Sequence, residues 1–242
     1  VWGIMKFVEL ATYLEKLEKT SSRIEITKIL AELFRKTDAF EIDKTVYLLL
    51  GSLAPNYEGV VFNVAEKMII KAIALTYGYD GKAVNGLYKK AGDLGIVTET
   101  LAKKSHFTAH NSPLSITDVY QKLMDVARDS GEESVERKIQ KISELFKNLD
   151  PRSTRFVARI PLGRLRLGFS DKTVIDALSW MEAGDKSLRS QLLKAYEVVP
   201  DIGFLAKRVK EVGAAIASKN IKPVVGIPVL PALAQRLNSP VE

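Results

Sequence analysis

Glu32-Leu33-Phe34 returns as Glu144-Leu145-Phe146, and Leu50-Gly51-Ser52-Leu53 returns as Leu162-Gly163-Arg164-Leu165, each 112 residues later. Glu66-Lys67-Met68-Ile69-Ile70-Lys71-Ala72 has its counterpart 105 residues on, in Asp171-Lys172-Thr173-Val174-Ile175-Asp176-Ala177. Tyr88 with Asp93-Leu94-Gly95-Ile96-Val97 corresponds to Tyr196 with Asp201-Ile202-Gly203-Phe204-Leu205, 108 residues further. Four landmarks keep one order with small changes of spacing, which is the mark of an internal duplication. The unit is too long for a solenoid repeat. It predicts two half-domains related by an approximate two-fold axis.

Around those landmarks the apolar residues recur at helical spacing. Phe7, Leu10, Ala11, Leu14 and Leu17 form one stripe, and Ile116, Val119, Tyr120, Leu123, Met124 and Ala127 form another. Asn63-Val64-Ala65-Glu66 and Ser115-Ile116-Thr117-Asp118 read as helix starts, with an oxygen-bearing cap three residues before an acid. Ser170 is placed to cap a helix beginning at Asp171. Strand patterns are nearly absent, so the expected fold is all-α, with roughly ten to twelve short helices in two pseudo-two-fold-related halves.

The expected boundaries follow. Residues 1–4 precede Met5 and read as a cloning remnant or the trace of an alternative start. A domain spans 5–219, with half one at 5–104, a polar linker at 105–113 and half two at 114–219. Pro223, Pro228 and Pro231 forbid a continuous helix through 220–242, which reads as a linker towards a further domain.

Composition narrows the chemistry. The 242 residues are 46% hydrophobic and 27% charged, as in an ordinary globular protein. No apolar stretch approaches the roughly 18 residues a membrane span needs, and no signal peptide is evident, so an intracellular location is expected. The absence of cysteine excludes disulfides, thiolate metal sites and a cysteine nucleophile. His106 and His110 lack a third ligand, so no metal site is expected. A net charge of +7 favours a polyanionic partner, and duplex DNA also has the local two-fold symmetry that a duplicated protein suits. The densest basic stretch carries Arg152, Arg155, Arg159, Arg164, Arg166 and Lys172 against the single acid Asp171.

Two landmarks suggest how phosphate would be held. Gly92-Asp93-Leu94-Gly95 and Pro200-Asp201-Ile202-Gly203 sit between helical patterns, followed by Lys103 and Lys104 or by Lys207, Arg208 and Lys210. Each turn reads either as an Asp-capped helix start or as a backbone approach to phosphate. Leu162-Gly163-Arg164-Leu165-Arg166-Leu167-Gly168 alternates arginine with leucine between glycines, which suits a sugar–phosphate chain and equally suits an exposed arginine pair on a packed loop.

These stretches, with Leu17-Glu18-Lys19-Thr20-Ser21-Ser22-Arg23 and Gly226-Ile227-Pro228-Val229-Leu230-Pro231-Ala232-Leu233-Ala234-Gln235-Arg236-Leu237, resemble the N-terminal DNA-binding domain of archaeal and eukaryotic ATP-dependent DNA ligases. The resemblance runs from about Phe7 to Glu242. It implies an all-helical, pseudo-symmetric domain that grips the minor groove on both sides of a nick. It assigns DNA contacts to Ser22, Arg23, Gly92, Asp93, Gly95, Gly163, Arg164, Arg166, Gly168, Asp201, Gly203 and Lys207. The family's Lys-x-Asp-Gly nucleophile motif follows the matched region. Tyr79-Asp80-Gly81 imitates its end, but Gly78 stands where the lysine belongs.

No catalytic residue and no cofactor are therefore expected within this chain. ATP and Mg are implied for the parent enzyme, acting in replication, repair and recombination. Lys104-Ser105-His106-Phe107 resembles a Lys-Ser-Phe-Phe sliding-clamp motif with one aromatic replaced, making Lys104, Ser105 and Phe107 candidates for clamp binding. A monomer that binds nicked double-stranded DNA and no membrane is expected. The rival expectation is a helical scaffold whose basic face meets an acidic protein.

Overall fold

The computed structural model describes residues 4–105, 113–165, 167–219 and 221–230, and folds as an all-α protein of thirteen helices among them. Half one supplies α1 (Phe7–Glu18), α2 (Arg23–Lys36), α3 (Ile42–Leu49), α4 (Glu66–Tyr77), α5 (Gly81–Ala91) and α6 (Leu94–Lys104). Half two repeats the series with α7 (Ile116–Arg128), α8 (Ser134–Lys147), α9 (Pro151–Arg159), α10 (Asp171–Ala183), α11 (Arg189–Val198) and α12 (Ile202–Val212). A single short turn, α13 (Ala214–Ala217), exceeds the expected number.

Each repeated landmark has a physical reason. Leu33 and Phe34, and their counterparts Leu145 and Phe146, are core side chains, while the glutamates before them face outward. A fully buried aromatic contributes about 1.5–3 kcal/mol of apolar burial, so these positions tolerate little change. Gly51 and Gly163 both adopt left-handed backbone (φ 72° and 62°), which an L-residue with a Cβ disfavours. The buried Leu53 and Leu165 pin the loops that those glycines turn. The two loops meet, since a Cβ on Gly51 would stand 3.7 Å from Leu165 Cδ1.

The halves do not pack as separate bodies. α6 of half one lies on α9 of half two, and α12 of half two lies on α3 of half one. The same exchange pairs α4 with α8 and α10 with α2. This reciprocity is the pattern that a two-fold relation between duplicated units produces. Their starts also join: Phe7 N–H donates to the Leu114 carbonyl at 2.9 Å, and Ile116 N–H donates to the Met5 carbonyl at 3.1 Å. One core runs through both, and its largest fully buried side chains include Phe7, Phe34, Phe146 and Phe156.

The helix starts differ in how they are capped. Ser115 and Asp118 form the expected capping box at α7. Asn63 is not a cap: α4 starts only at Glu66 with Ala65 before it, and Asn63 takes a left-handed φ of 48°. Its short polar side chain tolerates that conformation, so the residue makes the turn that leads into the helix. Ser170 occupies the N-cap of α10, but its side chain makes no capping hydrogen bond. Residues 221–230 contain no helix, consistent with their prolines.

Candidate nucleic-acid interface

The duplicated Asp-x-Gly turns start α6 and α12. Asp93 accepts from Gly95 N at 2.7 Å and from Ile96 N at 3.2 Å, and Asp201 accepts from Phe204 N at 2.9 Å. Both aspartates are N-caps, satisfying amides that the first helical turn leaves without partners. Each carboxylate also reaches the opposite half at equivalent positions. Arg159 on α9 donates to Asp93 at 3.1 and 2.7 Å and to Glu18 at 2.7 Å. On the other side Tyr47 of α3 donates to Asp201 at 2.5 Å, joined by Tyr57 at 3.3 Å.

The glycines after these aspartates permit the crossing. A Cβ at Gly95 would lie 2.6 Å from the Arg155 carbonyl oxygen, and one at Gly203 would lie 2.4 Å from Tyr47 Cζ. Both residues are buried. Gly95 and Gly203 are therefore close-packing positions, and only the exposed Gly92 leaves its backbone open on the outside of the turn.

Electrostatics separates the two sides. Burial pushes the Asp93 carboxyl up, but Arg159 and the amides of Ile96 and Gly95 outweigh it and hold the group below its ordinary value. The Tyr47 phenol is raised by burial and by its carboxylate partner, and burial beside Asp201 pushes Tyr57 up to about 12. One side is held by an ion pair, the other by neutral hydroxyls on a carboxylate.

Beside each turn lies a cleft. Gly92, Asp93, Gly95, Arg159 and Arg164 line one of about 50 Å³. Arg164 closes it, donating to Tyr88 Oη at 2.8 Å and pairing with Glu66. The hydrogen bond it donates to Tyr88, and then the Glu66 carboxylate, raise the guanidinium pKa further. In the equivalent place Ser52 replaces the arginine, and a cleft of about 310 Å³ opens among Tyr47, Tyr57, Asp171 and Tyr196. There the Tyr196 hydroxyl donates directly to Asp171, the counterpart of Glu66.

The remaining expected residues fall elsewhere. Gly163 and Gly168 are exposed with left-handed φ, and Arg166 lies outside the described residues. Ser22 caps α2 by accepting from Glu25 N at 3.4 Å. Arg23 is exposed, and with Gly168 it lines a separate groove. Lys207 is half-buried on α12. Lys210, read as a basic follower, turns inward and donates at 2.8 Å to the carbonyls of Phe34 and Arg35. Lys104 is exposed and Ser105 donates to the Ala102 carbonyl, while His106, Phe107 and His110 lie outside the described residues.

The basic stretch from Arg152 changes its meaning in three dimensions. Arg152 pairs with Glu15, Arg155 with Glu18 and Glu99, and Arg159 with Glu18 and Asp93. Those arginines fasten α9 to α1 and α6. A one-dimensional charge count missed this because the partners lie far away in sequence. The cationic residues it overlooked, Lys186 and Arg189, stand in the groove with Arg23.

No Lys-x-Asp-Gly site is formed at Asp80-Gly81, because Gly78 is the left-handed end of α4 and Asp80 leads into α5. Among the described residues no cluster of three or more His, Cys, Asp or Glu side chains could hold a metal ion, and no helix is long and apolar enough to cross a membrane.

Comparison with known proteins supplies the remaining findings. A family model described as the DNA ligase N terminus matches residues 6–179. The DNA ligase 2 of Thermofilum pendens is 41% identical over 249 aligned residues, covering 99% of this chain and 41% of its own length. The DNA ligases of Pyrobaculum calidifontis and Saccharolobus shibatae are 42% and 39% identical, covering 97% and 98% of this chain. The chain thus spans about two fifths of the length of these relatives.

Proposed function

The chain belongs to the DNA ligase N-terminus family, and on that premise we propose that it binds duplex DNA around a nick without sequence preference and without catalysing the sealing step. Family membership over most of the chain carries the reading. The exposed Gly92, Gly163 and Gly168 support it, since a sugar–phosphate chain can approach their backbone closely, with the exposed Arg23 beside Gly168. Contacts are assigned to Ser22, Arg23, Gly92, Gly163, Arg164, Arg166, Gly168 and Lys207. Asp93, Gly95, Asp201 and Gly203 act by holding the two turns in place. Phosphate and sugar contacts position a duplex without reading its bases, as a ligase substrate requires.

ATP and Mg chemistry is assigned to the parent enzyme, in the three fifths of the relatives' length beyond the match. Residues Lys104, Ser105 and Phe107 are proposed to dock a sliding clamp. The protein is expected to act as an intracellular monomer.

The test is a titration of fluorescent nicked duplex, intact duplex and single strand, read by anisotropy at several salt concentrations. Salt-sensitive duplex binding with much weaker single-strand binding is expected. Absence of duplex binding at low salt would remove the reading and favour a helical scaffold for an acidic protein.

A further inference from the structure

Most arginines of the segment from Arg152 to Arg164 are committed to carboxylates, so uncompensated positive charge must be sought elsewhere. It gathers in a groove of about 530 Å³ at the starts of α2, α10 and α11. Arg23, Lys172, Lys186 and Arg189 line it, facing one carboxylate, Asp176. Asp176 accepts from Lys186 Nζ at 2.6 Å and from Arg189 Nε at 2.7 Å, and its side chain is only 15% exposed. A largely buried acid thus fixes two cations along one wall. Arg23 and Lys172 are exposed and form no ion pair among the described residues. Four cations against one carboxylate leave a strongly positive, water-accessible channel. Ser170, which lines the same channel, makes no side-chain capping bond to α10.

We infer that this groove holds the sugar–phosphate backbone of duplex DNA, with Lys172, Lys186 and Arg189 as phosphate contacts beside Arg23, an inference that rests on the DNA-binding reading above. The duplication keeps part of this groove on the other side: Lys67 stands where Lys172 does, while Val135 takes the place of Arg23 and Lys71 that of Asp176, the acid that fixes Lys186 and Arg189 here.

The experiment compares the unaltered chain, Lys172→Gln/Arg189→Gln, and Lys122→Gln/Lys147→Gln, which removes the same charge from α7 and α8. Binding to nicked duplex is measured across a salt series. Two lost phosphate contacts should flatten the slope of log K against log salt by about 1.8, and the control pair should leave it unchanged. Lys172→Gln alone removes an exposed side chain with no ion-pair partner among the described residues, and should flatten it by about 0.9 even if loss of Arg189 disturbs α11. Equal slopes for the Lys172 variant, the groove pair and the unaltered chain would overturn the inference. So would variants that lose binding to an acidic polyglutamate peptide and not to DNA. An unaltered chain that fails to bind duplex removes the functional reading first, and is thereby told apart from failure of the groove.

Discussion

The Asp93 turn and the Asp201 turn occupy equivalent places, yet they are secured by different chemistry. Asp93 meets a guanidinium that also serves Glu18, whereas Asp201 meets two phenols. Beside the first, Arg164 leaves about 50 Å³; beside the second, Ser52 leaves about 310 Å³. Duplication kept what the helix crossing demands, namely an acid to cap the helix and a glycine to admit its neighbour. It released whatever the crossing does not specify. That freedom left the Asp93 side ion-paired and the Asp201 side phenolic, and the cationic groove of Arg23 and Lys172 lies by α10 and α11, beside the phenolic side.

The largest expected effect breaks the charged side. Arg159→Ala leaves Asp93 without its cationic partner in a partly buried site, and Glu18 with Arg155 alone, and should cost about 3 kcal/mol in urea unfolding. Next come the crossing glycines. Gly95→Ala pushes a Cβ against the Arg155 carbonyl, which is backbone, and should cost about 2–3 kcal/mol. Gly203→Ala meets the Tyr47 ring instead and should cost less, because a side chain can move aside. A larger loss at Gly203 would contradict that ordering. Tyr47→Phe removes one hydrogen bond to a carboxylate and should cost about 1.5–2 kcal/mol, less than the Arg159 change.

Acid sharpens the contrast. The folded Asp93 carboxyl titrates below its unfolded value, so its stabilisation is complete above the unfolded value and disappears as pH falls through the folded one. The loss therefore falls below about pH 4. Thermal unfolding scanned through that range should show a steeper decline for the unaltered chain than for Asp93→Asn. Matching declines would assign the acid sensitivity to other carboxylates. The smallest effect is a repair: Ser52→Arg should reach Tyr196 and Asp171 as Arg164 reaches Tyr88 and Glu66, raising stability by about 0.5 kcal/mol.

Much of this was legible in the sequence because the landmarks are local. Phe7, Leu10, Leu14 and Leu17 announce a buried helix face by spacing, and the return of Leu33-Phe34 and Gly51 as Leu145-Phe146 and Gly163 announces the duplication. The exchange of helices between halves was not legible, since nothing local distinguishes α6 on α9 from α6 within its own half. The basic stretch misled for the same reason: Glu15, Glu18 and Glu99, which neutralise Arg152 and Arg155, lie far off in the chain. Lys186 and Arg189 escaped notice because helix packing, and not sequence adjacency, brings them beside Arg23.

The proposed function requires duplex DNA to be held through its sugar–phosphate backbone, with its bases unread. Its most direct test is competition between two nicked duplexes of equal length and unrelated sequence, titrated at three salt concentrations. Equal affinities that fall together are expected, with a common slope of about −0.9 for each phosphate contact. A preference for one sequence that survives rising salt would contradict it.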